Sequence, residues 1–263
     1  MPILGRRIRL LMPFVRRNIR EQYAGSWGGV IWSIFQPLFL ILLYWWVFSE
    51  IFKIRAPVSD GTESRPFLVF LLSALLPWFA FQDGLIKGSA AIVAHRDVVK
   101  KVHFPVIIFP LAAVVAAAIS QGIGFCLFLS VLFCWEGHVT VSQMVALTML
   151  LGLQVLATSG LALLLSALMV YLRDISQILA LILPAIFYTA PILYPLNLVP
   201  KKFHILVFIN PFAAFAEGYH SILLDSAWPS FFTISVLVVL TVGALGSGIY
   251  VFRRLQTGFA DVL

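Results

Sequence analysis

Six long stretches without a single Asp, Glu, Lys or Arg constrain this chain more than any other feature: residues 22–49, 66–82, 104–135, 139–172, 175–200 and 226–252. The hydrocarbon core of a bilayer is about 30 Å thick and a helix rises about 1.5 Å per residue, so about 20 mostly apolar residues make one span. Six runs predict six spanning helices, at about 30–52, 66–87, 105–135, 142–171, 175–194 and 229–252. The second run is the shortest and must borrow residues beyond Asp83. Only 11% of residues are charged, against about 25% in soluble chains, which excludes a soluble enzyme. The runs are continuously apolar rather than alternating, which argues against a membrane β-barrel. Pro37, Pro77, Pro110, Pro184 and Pro191 fall inside them, and spanning helices tolerate such residues where neighbours re-satisfy the backbone. The expected fold class is an all-α polytopic membrane protein.

The net charge of +7 could suggest nucleic acid, but its distribution reads as a topology signal. With the N-terminus inside, most of the 18 Lys and Arg residues lie on segments 1–29, 84–103, 173–174 and 253–263, and the outer loops keep only Lys53, Arg55, Arg65, Lys201 and Lys202. Positive charge stays on the cytoplasmic side. This predicts a multi-pass protein of the cytoplasmic (inner) membrane with both termini inside and no nucleic-acid partner. The first apolar run is too long and too rich in Trp for a secretory signal, and no small-residue cleavage site follows it. Cys126 and Cys134, eight residues apart in one run, lie roughly 80° apart on a helix and read as packing residues.

Residues 4–23 alternate Arg with Ile, Leu, Phe and Val. Ile8, Leu11, Val15 and Ile19 recur at helical spacing, while Arg9, Arg16 and Arg20 lie near one side. Such a helix lies in the headgroup plane with its basic face on anionic lipid; the alternative is a disordered basic tail. Pro13 is expected to kink it. The run Gly25-Ser-Trp-Gly-Gly29 turns the chain into the first span, where Trp32, Phe35 and Phe39 fall on one stripe and Tyr44 follows. Residues 195–228 are moderately apolar but broken by Pro195, Pro200, Asn210-Pro211 and Gly218. Neither half can span. Two short helices re-entering the outer leaflet fit the pattern, since broken backbone at membrane depth survives only where it lines a cavity; a surface-lying outer loop is the alternative. Arg173-Asp174 is the whole connection between the fourth and fifth runs, which predicts a close antiparallel hairpin.

The one dense internal charged segment is residues 95–105, HRDVVKKVHFP. No Gly-Lys pair occurs, hence no phosphate-cradling loop, and no H-E-x-x-H, C-x-x-C or paired-carboxylate motif is present. The chain alone is therefore expected to be no enzyme, to use no cofactor or metal, and to take its driving force from a partner gripping this segment. A His95–Asp97–His103 metal site is the weaker reading. The span centres carry no ionisable residue of the kind that couples ions to transport; Glu217 is the one acid that re-entry would bring to depth.

These marks have a family counterpart. RRNIREQYAGSWGGVIWSIFQPLF at the first span, LLPWFAFQDG, VVKKVHFP, YLRDISQILALILPAIFYTAPILYPLNLVP and INPFAAFAEGYHSILL resemble, in the same order and over nearly the whole chain, ABC-2 type permeases of the polysaccharide and polyol-phosphate export group. The resemblance implies a 1–29 cytoplasmic segment with an interface helix, a 30–252 ABC-2 type transmembrane domain and a 253–263 cytoplasmic tail. It implies a homodimer partnered by two copies of a separate ABC ATPase, which holds ATP and Mg²⁺, and export of a lipid-linked glycan of O-antigen, capsule or teichoic acid type. Asp97, Val98, Val99, Lys100, Lys101, His103, Phe104 and Pro105 become the ATPase-coupling loop. Arg16, Arg17 and Arg20 become candidates for pyrophosphate or anionic lipid, and Trp32, Phe35, Phe39, Tyr44, Tyr188 and Tyr194 for the substrate pathway. Asn210, Pro211, Glu217 and His220 become the outer gate, although family members often carry an Arg where this chain has Tyr219-His220. An ABC-2 exporter of a drug, lipid or peptide, or a membrane-embedded glycolipid enzyme, are the competing readings.

Overall fold

The computed structural model describes residues 2–23, 25–26, 29–51, 67–101, 105–136 and 140–263. Among these the regular structure is helical throughout, with no strand. In chain order the α-helices are α1 (Pro2–Tyr23), α2 (Trp32–Trp45), α3 (Phe67–Ala94), α4 (Arg96–Lys101), α5 (Ile108–Glu136), α6 (Val141–Tyr171), α7 (Ile175–Thr189), α8 (His204–Ile209), α9 (Ala213–Leu223), α10 (Phe231–Leu255) and α11 (Phe259–Val262). Among the described residues four helices are long and apolar enough to cross a membrane: α3, α5, α6 and α10. The apolar helices of the first and fifth runs are shorter. α2 is extended at its start by a 3₁₀ turn, Gly29–Ile31, and at its end by a π-helical turn, Trp46–Ile51.

The helix boundaries follow from local chemistry. α6 opens on a reciprocal cap: Thr140 Oγ1 accepts from the Gln143 amide at 3.2 Å, and Gln143 Oε1 accepts from the Thr140 amide at 3.0 Å, satisfying two donors that the first turn leaves over. Ser230 caps α10 through the Thr233 amide, 3.1 Å. Gly29 takes a positive φ and its N–H bonds Ser26 in a turn entering α2. Three expectations change. α7 stops at Thr189, not near 194, because Pro191 cannot continue a helix and Ala190 already closes onto the Ile186 carbonyl at 3.0 Å. α3 runs on to Ala94 instead of stopping at Lys87, because residues 88–94, GSAAIVA, contain no proline to stop it. α5 begins at Ile108 rather than Pro105, after a turn in which Pro105 and Val106 carbonyls accept from Ile108 and Phe109. Pro13, for its part, lies inside α1, which runs on past it.

The centre of the molecule is α3, flanked by α5 and α6, with α10 packed on α6. Where α6 and α10 cross, a Cβ on Gly160 would clash with the Ala244–Leu245 backbone, and one on Gly248 would clash with the Gly160 carbonyl. Apolar lipid provides no hydrophobic drive between helices, so such close approach through small residues is what holds them together. α7 packs on both α3 and α6 and buries only Ile175, Leu179 and Leu183. Chain topology puts the start of α5 and the ends of α3, α6 and α10 together at one end of the bundle, here the terminal end. The start of α3, α6 and α10 lies at the far end.

Candidate functional site

At the terminal end, α4 is a two-turn helix set against the bundle. The His95 carbonyl accepts from both Val98 and Val99, at 3.0 and 3.1 Å, which starts the helix. The His95 ring bonds the Ala91 carbonyl through Nδ1 at 2.8 Å and stacks on Phe109, with centroids 4.7 Å apart. A helix this short is unstable alone, so these contacts decide its place. Val98 and Val99 turn inward, against a cluster built on Ala91, Phe109 and Ala113, while Arg96, Asp97 and Lys100 are exposed. Of the predicted coupling residues, the valines thus support α4 and the charged residues form its free face. Lys101 ends α4; Val102, His103 and Phe104 lie outside the described residues, and with them the suggested metal triad. Among the described residues no group of His, Cys, Asp and Glu is placed to hold a metal ion.

Two terminal segments bracket α4. From one side comes α1: Phe14 meets Phe109 edge-on at 5.3 Å, and Val15 is buried among Ala112 and Ala116 of α5. Leu11, Val15 and Ile19 of the apolar stripe read from the sequence therefore face protein. Arg16, Arg17 and Arg20 stay exposed, Arg17 in an ion pair with Glu21 at 2.6 Å. From the other side comes α11, whose Phe259 is buried edge-on against Phe252 at 5.6 Å. Val99 and Leu263 pack on the same cluster, together with Ile92, Leu163 and Val170. Tyr171 Oη donates to the Leu255 carbonyl at 2.9 Å, tying the end of α6 to the end of α10. The tail was missed as a working part. Its signal was Phe259 in a short mixed tail, too weak to interpret without the fold. Between α1 and α3, Lys87 pairs with Asp83 at 2.7 Å and reaches Gln22 at 3.4 Å.

Halfway along the bundle, α8 and α9 meet at Asn210-Pro211. Asn210 is buried and fully occupied: its amide donates to the Ile186 carbonyl at 2.7 Å and to Thr189 Oγ1 at 2.8 Å, and its side-chain oxygen accepts from the Phe212 amide at 2.8 Å. Of the predicted gate residues, Asn210 is thus a clamp that holds the α8–α9 turn to the end of α7, with Pro211 half-buried beside it. Phe212 packs on Trp78 and Phe81 at 5.1 and 5.3 Å. Trp78 lies 11 residues into α3, roughly 17 Å from its start at 1.5 Å per residue. From there α9 climbs to the far end, where His220 stacks on Phe70 at 4.1 Å. A polar hub joins the three helices on the way. Gln154 of α6 donates to the Pro77 carbonyl at 2.8 Å and accepts from Tyr219 Oη at 2.7 Å. Sequence reading passed over Gln154, since one amide in an apolar run has no pattern.

The predicted aromatic residues separate into groups. Trp32, Phe35 and Phe39 do form one ladder on α2, with centroids 5.5 and 6.3 Å apart, and are 45%, 53% and 58% exposed. Tyr44 belongs elsewhere. It starts a chain of rings, Tyr44–Phe48–Phe67–Phe70–His220, with successive centroids at 5.9, 5.1, 5.7 and 4.1 Å. Tyr188 is exposed at the end of α7, and Tyr194 Oη folds back onto its carbonyl at 2.6 Å. Burial raises the Glu217 carboxyl above the usual carboxylate range. It lowers His220 to about 4, against the opposing pull of the bond from Nε2 to the Phe70 carbonyl at 3.1 Å, so this imidazole is neutral at pH 7.

The fold, helical throughout its described residues with four helices long and apolar enough to cross a membrane, is that of a polytopic helical membrane protein. The chain belongs to the ABC-2 type transporter family, which matches residues 10–224. It is similar to the O-antigen export system permease protein RfbA of Klebsiella pneumoniae, 24% identical over 99% of this chain and 97% of that protein. The protein of the same description from Myxococcus xanthus is 26% identical over 96% and 94%. The polysialic acid transport protein KpsM of Escherichia coli is 21% identical, over 90% of each.

Proposed function

We propose that this chain is the membrane-spanning permease subunit of an ATP-driven ABC exporter that moves a lipid-linked polysaccharide, of O-antigen, capsule or teichoic acid kind, across the cytoplasmic membrane. The observation that carries the reading is family membership combined with end-to-end similarity to two kinds of polysaccharide export permease. The working unit is a homodimer with two copies of an ABC ATPase, which holds the ATP and Mg²⁺. The terminal end is cytoplasmic, as its Lys and Arg content favours. The segments containing α2 and α7 complete six spans, α1 lies at the inner interface, and α8–α9 re-enters from the outside to the level of Trp78.

In this arrangement the ATPase grips Arg96, Asp97 and Lys100 on the free face of α4. Displacement passes inward through Val98 and Val99 to Phe109 and α5, to Phe14 and α1, and through Phe259 to α10 and α6. Arg16, Arg20 and Lys100 are free to meet the pyrophosphate of the lipid carrier or anionic headgroups, whereas Arg17 is engaged by Glu21. The exposed ladder of Trp32, Phe35 and Phe39 offers ring faces along which a glycan slides without specific bonds. Deleting the gene should leave lipid-linked glycan on the cytoplasmic side, and the intact chain should restore surface glycan. Normal surface glycan in the deletion strain refutes the reading.

A further inference from the structure

The far end of the bundle carries an open cavity of about 440 Å³ between the start of α3, the turn after α7, α9 and the start of α10. That volume is within the range of small-ligand sites. Glu217, His220 and Ser221, at helical spacings of three and four, give α9 one polar wall, and Asn197 lies on the turn after α7. The cavity between α3, α5 and α6 differs sharply, being lined almost wholly by apolar residues such as Leu76, Val114 and Phe125.

The bonding state of each group narrows the ligand. His220 is neutral and committed to the Phe70 carbonyl. It is stacked on Phe70, and the ring chain that begins at Tyr44 backs it rigidly. Ser221 donates to the Glu217 carbonyl at 3.0 Å and keeps its lone pairs. The half-buried Glu217 carboxylate has no hydrogen-bond or ion-pair partner among the described residues, and neither has the Asn197 amide. A hydrocarbon here would strand these polar groups at a cost of about 1–3 kcal/mol each. An anion would face the Glu217 carboxylate with no Lys or Arg among the described lining residues. Among the described residues no three of His, Cys, Asp or Glu are placed to hold a metal ion. A neutral sugar fits: its hydroxyls donate to the carboxylate, and exchange donor and acceptor roles with the amide and Ser221.

We propose that this cavity is a sugar subsite on the exit side of the pathway, where Glu217 and Asn197 hold neutral residues of the emerging glycan. The proposal rests on the polysaccharide-exporter reading, with the far end outside. Its hydrogen bonds are few, so it releases one unit as the next arrives. It also discriminates against uronate- or sialate-bearing chains.

The test is saturation-transfer NMR on the full-length chain with its ATPase subunit in nanodiscs, with a neutral hexose trisaccharide and its sialylated counterpart as probes. The neutral probe should receive saturation, and the sialylated one at least threefold less. Glu217→Ala with Asn197→Ala should reduce transfer to the neutral probe at least fivefold, and Glu217→Gln, which keeps an acceptor, should retain part of it. Unchanged elution and ATPase co-purification control for folding. Absence of transfer to the wild-type complex, equal transfer in the double variant, or preference for the sialylated probe overturns the subsite. Surface-glycan rescue by the wild-type gene in the deletion strain separates that outcome from failure of the exporter reading, which predicts rescue whatever the subsite does.

Discussion

The two ends of this bundle use short helices in opposite ways. At the terminal end α4 turns valines inward and charges outward. At the far end α9 turns Glu217, His220 and Ser221 toward a cavity and packs Phe212, Phe215 and Tyr219 into the core. The first suits the ATPase grip proposed above, the second the proposed sugar subsite. Neither helix is long enough to hold itself in water or lipid. What makes them rigid is the frame between them, where α3 meets α5 and α6, and α6 meets α10.

The largest effect should come from breaking that shared frame. Gly248→Val drives a side chain into the Gly160 carbonyl and should cost more than about 4 kcal/mol, seen as loss of monodisperse protein on size exclusion. If the variant keeps wild-type stability, the α6–α10 crossing does not support the two ends. Phe259→Ala should come next, at about 3–5 kcal/mol for a buried Phe. Its melting temperature should drop, and export should fall with it because the support of Val99 is gone; unaltered melting would mean that the tail does not brace α4. Arg96→Glu with Lys100→Glu should lower ATPase co-purification and export by roughly tenfold while stability stays within about 0.5 kcal/mol, as for surface changes generally. Val98→Ala should do the reverse, lowering stability more than association. A reversed pattern would show that the valines, and not the charges, face the partner.

The smallest effect concerns pH at the far end. His220 sits at about 4 in the fold against about 6.5 unfolded. The unfolded chain therefore binds the extra proton first, and stability falls as pH drops from 6.5 toward 4. Glu217, raised by burial, works the other way, gaining stability as it takes up its proton, and Asp225 lines the same cavity. Melting temperature followed over this range should decline, and the decline should be shallower in His220→Gln. An identical slope in that variant would remove His220 as its source.

Much of the frame was legible in the chain itself, for a simple reason. Uncharged length is a one-dimensional property, and water–lipid partition responds to it directly. The positions of α3, α5, α6 and α10, the ladder of Trp32, Phe35 and Phe39, the break at Asn210-Pro211 and the charged segment before α5 all follow from it or from local turn chemistry. Helix ends were less legible. α3 ran on past Lys87 because a charge near an interface does not break a helix, and α7 ended early because Pro191 does.

The orientation of side chains on short helices was not legible at all. Val98, Val99, Lys100 and Lys101 form one unbroken mixed run, and only the presence of Phe109 and Phe14 beneath decides which of them faces in. The three bonds of Asn210 to Ile186, Thr189 and Phe212, which hold the α8–α9 turn to the end of α7, have no counterpart in its local sequence. Gln154 and Gly160 carry no local signal, since their importance lies in partners 65 to 88 positions away. Composition and spacing thus determined that this chain crosses a membrane and where its joints fall. Only tertiary packing decided which faces those joints present, because facing depends on neighbours that are remote in sequence and adjacent in space.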